Sequence, residues 1–220
     1  FSLLFAAASP IFGDAGAWNF TLFASVFTGF LLLLALARRF LGDEPSEIAV
    51  FVAAFVATCA PYRWVTLAGG SPTGFGMALI PAVALGVDMA VRDGRVRGGA
   101  LAGVALVLCY ATDLHSFLFA TLALPLWCLV SWASASESPL PDRRRLLVLV
   151  KALLPLAAGV AVAGGIALLL RAQYAVTDAG GGRSLADIKL HSPVWQAIFD
   201  PSYPCHMAQH VNLGEGLPVA

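Results

Sequence analysis

Six runs of this chain, at residues 18–37, 47–60, 73–91, 98–112, 114–132 and 152–170, are almost wholly apolar, and the charged residues stand between them. A hydrocarbon core about 30 Å thick takes roughly 20 apolar residues of helix to cross, and in lipid every backbone polar group must be satisfied within its own segment. Those two constraints select helices for all six runs. The second and fourth are short, and are expected to borrow residues from their links or to lie inside the bundle. Composition agrees: 59% of the residues are hydrophobic and 12% charged, with a mean hydropathy of +0.82, against about 25% charged in ordinary soluble domains. The expected fold is an all-α, polytopic transmembrane bundle over 1–171, with a polar, non-cytoplasmic tail over 172–220 that leads to a further span.

Residues 1–12 are apolar but too few to span. They read as the end of an earlier helix rather than as an interfacial segment, so the chain is expected to be a fragment of a longer protein. The links carry turn and breaker residues: Gly42 with Pro45, Gly69 with Gly70, Gly94, and Pro139 with Pro141. Pro81, Pro125 and Pro155 fall inside spans, where kinks are expected. Gly99 with Gly103, and Ala157 with Ala161, have the four-residue spacing that lets helices approach closely.

Basic residues in short links stay on the cytoplasmic side. Arg38 and Arg39 lie in the first link, Arg92, Arg95 and Arg97 in the third, and Arg143, Arg144, Arg145 and Lys151 in the fifth, which is nine of the thirteen Lys and Arg residues. The alternate links hold only Arg63. Alternation therefore puts both ends of the chain outside, with lipids as its surroundings. The formal net charge is zero, so no strong field favours nucleic acid as a partner.

On this topology Asp14, Arg63, Asp113 and His115 share the outer boundary. Asp113 beside His115 suits general acid–base work, and Arg63 between Tyr62 and Trp64 suits bidentate phosphate binding. The competing readings are an aromatic belt with Arg63 snorkelling to water. Asp88, within an apolar run, is expected to pair with Arg92 four residues on. Cys59, Cys109 and Cys128 behave as small hydrophobes. His191, Cys205, His206 and His210 match no zinc spacing and read as surface residues. No cofactor is identified, and a divalent cation has no motif behind it. Phosphate loops, zinc-protease helices and hydrolase elbows are absent from the sequence.

Trp18-Asn19 through Arg38-Arg39-Phe40-Leu41-Gly42, then Ala60-Pro61-Tyr62-Arg63 and the glycine-led run from Gly98, resemble the large bacterial multi-pass proteins of the YfhO-like kind, over 17–132. Those resemble the wider GT-C glycosyltransferases. The resemblance implies transfer of sugar from a polyprenyl-phosphate donor at the outer face of the membrane. It also implies a catalytic acidic residue in the first outer loop, a role that no position here can be assigned. A transporter or flippase, with substrate at midplane on broken helices, and a non-catalytic assembly subunit are the alternatives.

Overall fold

A computed structural model describes residues 1–41, 44–68, 71–135 and 143–174 of the chain. The tail calls at Arg183, Lys189, His191, Cys205, His206 and His210, and the link prolines Pro139 and Pro141, lie outside the described residues. Every described element is helical: α1 Ser2–Phe40, α2 Glu47–Thr58, α3 Pro61–Ala68, α4 Pro72–Gly76, a 3-10 turn Met77–Leu79, α5 Ile80–Val91, α6 Val96–Thr112, α7 Leu114–Ala135 and α8 Arg143–Tyr174. The chain divides into two units, Phe1–Ala167 and Leu168–Ala220. The packing below belongs to the first; of the second only the end of α8 is described.

The prolines and one glycine place the breaks. Pro61 has no N–H and pushes the residue before it out of helical geometry, so α2 stops at Thr58 and α3 resumes bent by 48°. Pro81 likewise removes a donor from what is otherwise one rod, and the turn before it tightens to 3-10 at Met77–Leu79. Ser71 caps α4 by accepting from the Thr73 N–H, with Pro72 at the first turn.

Gly13, at φ 68° and ψ 169°, holds a conformation open essentially to glycine alone. There α1 folds back on itself. Phe5 and Trp18, which would lie roughly 20 Å apart along a straight helix, bring their rings to 6.4 Å. The first twelve residues are therefore a short helical arm laid against the long arm 14–40, and not a continuation of it.

Four helices are long and apolar enough to cross a membrane, in the stretches Leu4–Phe40, Pro72–Val91, Leu114–Ser134 and Leu146–Leu170, and the bent pair α2–α3 makes five if it counts as one. Six would also require α6, whose 17 residues rise about 25 Å. Pro72–Val91 is the central rod. Of its apolar window 67% is buried, against 17–22% for the other three, and those three present rings and branched chains such as Phe23, Phe27, Leu122 and Leu154 outward. A surface of that kind matches hydrocarbon rather than water.

The core gathers Val83, Val87 and Val91 of α5 with Ala102, Leu106 and Cys109 of α6, closed by Ala120 of α7 and Leu156 of α8. Small residues set these approaches. A methyl group on Gly86 would collide with the α6 backbone, and one on Gly103 would meet the Pro155 carbonyl of α8 at 2.5 Å. The Gly99–Gly103 spacing thus does pack a helix, whereas Ala157 and Ala161 face outward and Ala152, Gly159 and Ala163 form the buried stripe of α8.

Both ends of the bundle carry a polar cluster. At one end Arg39 of α1 pairs with the fully buried Asp88 and with Asp93 at 3.0 Å, and Arg92 pairs with Asp88 at 3.1 Å. Arg92 also donates to the Arg39 carbonyl, and Arg95 sits 3.4 Å from Asp93. The Asp88–Arg92 pair is thus present, with Arg39 as a second partner from 49 residues away. The first and third links meet here, as the alternation of basic residues requires, and Val148 of α8 packs over Gly94 at the same end. The other end gathers Trp18, Phe75, Thr73 and the α6–α7 junction.

Candidate functional site

α4 and the 3-10 turn belong to that second end, and two of the four expected site residues, Arg63 and Asp113, lie about them, whereas Asp14 does not. Gly76 of α4 packs on Asp113 and Ser116; Ala78 packs on Gly29 of α1, where the Arg63 guanidinium also lies. Arg63 and Asp113 therefore flank one short segment from different sides.

Asp113 is the residue before α7, and its carboxylate accepts from the Ser116 backbone N–H at 2.9 Å and the Ser116 hydroxyl at 3.3 Å. That is an N-cap, the position where Asp satisfies otherwise unpaired amides of the first turn. His115 Nδ1 lies 3.3 Å from the same carboxylate, so the Asp113–His115 pairing exists. Burial pushes the Asp113 carboxyl up, but the Ser116 amide, the Thr73 hydroxyl and His115 outweigh it and hold the group below its ordinary range. A carboxylate held low is a weak base. His115, with 68% of its side chain exposed, is the member of the pair that solvent reaches. Asp14 is exposed and accepts from Ser9 across the Gly13 fold.

Arg63 does not snorkel. It is 4% exposed, with Nη2 donating to the Ser25 carbonyl at 2.9 Å and to the Ser25 hydroxyl at 3.3 Å. Its Nε is buried without a partner, and among the described residues no carboxylate is paired with it. Gly29 makes the seat: a methyl group there would come within 2.9 Å of Nη1. Tyr62 turns towards Phe119 of α7, with ring centroids 6.4 Å apart, and the Trp64 indole donates to the Thr58 carbonyl, closing the α2–α3 break. A guanidinium withdrawn from water without a counter-charge is costly, by several kcal/mol per ion, and two bonds to a neutral serine offset only part of that.

One turn of α1 before Ser25, Thr21 lines a cleft of about 210 Å³ together with Phe1, Phe5, Trp18, Phe75 and Thr112. Ala17, Thr21, Ser25 and Gly29 form one buried stripe of α1 at four-residue spacing, so the cleft wall and the Arg63 seat are parts of the same helix face. Thr21, Ser25 and Gly29 were not among the expected site residues; their four-residue spacing within an apolar run is the signal that points to them, as Asp113 ahead of Leu-His-Ser is for the cap. Among the described residues no group of three or more His, Cys, Asp or Glu gathers as metal ligands. No known protein family, curated protein or solved structure matches the chain.

Proposed function

We propose that this chain is membrane-embedded body of a protein that acts on a phosphate-bearing lipid, the particular reaction being the sugar transfer from a polyprenyl-phosphate donor at the non-cytoplasmic face that the GT-C resemblance implies. The observation that carries this reading is Arg63, a buried cation without a carboxylate partner among the described residues, since a phosphate would supply the missing charge through charge-assisted bonds. His115 stands at the same end of the bundle as the group able to move protons. The bend between α2 and α3, with Arg63 just past it, favours a second reading, a transporter or flippase that seats its substrate on a broken helix.

One experiment separates the two. Membranes from cells producing the whole protein, or its Arg63→Ala variant, are given a polyprenyl-phosphate hexose labelled in the sugar. Label leaving the lipid only with the unaltered protein supports transfer. Label that stays on the lipid but changes leaflet replaces transfer with transport, and label that does neither removes both.

A further inference from the structure

Among the described residues the Thr21 hydroxyl, in the cleft wall, and Arg63 Nε, held against the next turns of the same α1 face, are both buried without a hydrogen-bond partner. Thr21 is 3% exposed and lines the cleft, yet its hydroxyl does not take up the bond to the carbonyl one turn back that Thr58, Thr112 and Thr121 all make. One turn along the same face, about 5.4 Å, is Ser25, the holder of Arg63. The Ser25 carbonyl is a neutral acceptor, and its helical position already offers it an amide. For a guanidinium it is a weak partner compared with an oxyanion.

We infer that Thr21 and Arg63 form the floor of a phosphate site whose mouth is the aromatic cleft. The inference rests on Arg63 as a phosphate ligand, and adds the second donor and the route of entry. A phosphate oxygen reaching the cleft accepts from the Thr21 hydroxyl, while the guanidinium exchanges Ser25 for the anion. Phe5, Trp18 and Phe75 line the mouth with apolar surface, which excludes water and strengthens both bonds. The adjacent positive charge rejects the cations that aromatic clefts otherwise attract. The phosphate comes either from a lipid headgroup or from solution.

The test uses the whole protein in neutral detergent, with radiolabelled inorganic phosphate and phosphatidic acid as separate probes, for the unaltered chain, Thr21→Val and Arg63→Lys. Binding of inorganic phosphate identifies a soluble source, and binding of phosphatidic acid alone a lipid source; either supports the site provided that Thr21→Val weakens it about tenfold, the effect of one bond to a charged group. Thr21→Val should melt no lower than the unaltered protein, because it removes an unsatisfied hydroxyl and keeps the shape. Arg63→Lys, where it folds, should also bind more weakly, since an ammonium lacks the planar fork. If the unaltered protein binds neither probe, or Thr21→Val binds as well as it does, the site is overturned. Phosphate binding of this pattern without sugar release would leave the site standing and remove the transferase; sugar release with unchanged binding by Thr21→Val would do the reverse.

Discussion

Asp113 shows how one side chain carries two readings until its neighbours are known. Beside His115 it has the composition of an acid–base pair, but its oxygens are committed to the first turn of α7. Replacement by Ala should therefore lower stability by about 1 kcal/mol, the usual worth of an N-cap, seen as a lower melting temperature in detergent. Because the folded carboxyl is held below its ordinary value of 3.8, its contribution is complete above that value and drains away as the pH falls through the lowered one. The melting temperature should drop more steeply on acidification below pH 3.8 for the native chain than for Asp113→Asn. Parallel acid profiles would show that the cap is not charged in the folded state. At this scale the residue types were legible from the sequence and their partners were not: Arg63 reads as interfacial from its flanking Tyr62 and Trp64, while its partner, Ser25, is 38 residues away on another helix.

Helix α6 lies between α5 and α8 at backbone contact distance, and this makes its glycines unequal to others in the chain. A methyl group on Gly99 would overlap the Ala152 carbonyl, whereas one on Gly164 would meet nothing within 4 Å. Gly99→Ala should cost about 1–3 kcal/mol through overpacking. Gly164→Ala should be neutral or stabilise by up to about 1 kcal/mol through helix propensity. Thermal unfolding of the two variants side by side checks this, and equal behaviour would mean that α6 and α8 do not cross there. The elements themselves were largely readable, because Pro61, Pro72 and Pro81 act on their own neighbours. The fold at Gly13 was not foreseen: a lone glycine in an apolar stretch is also tolerated in a continuous helix, and only the edge-on contact of Phe5 with Trp18 across it, with Phe75 edge-on to Trp18, shows which conformation it takes.

Across the bundle, Arg39, Asp88, Arg92, Asp93 and Arg95 meet at one end and Thr73, Asp113 and Ser116 at the other. If the basic end faces the cytoplasm, single cysteines at Arg95 and His115, in a chain lacking Cys59, Cys109, Cys128 and Cys205, will differ on intact cells: an impermeant thiol reagent should label the His115 position and leave the Arg95 position unmodified until the cells are opened. The opposite pattern inverts the topology, and labelling of both on intact cells removes the assignment of opposite faces.

An apolar surface suited to lipid, helicity, the breaks at Pro61 and Pro81, and which links share an end were set by local composition. Each is a matter of how a short segment is solvated, or of whether its own backbone can bond, and neither depends on a distant partner. Where Arg39 and Arg63 point was decided by packing, while the Asp88–Arg92 pair was legible from its four-residue spacing. Asp88 is neutralised from α1 as well as from its own helix, and Arg63 turns inward because Gly29 leaves it a seat beside Ser25. A buried charge takes whatever partner the crossing of two helices brings within about 3 Å, and that crossing is a property of the bundle which no single segment contains.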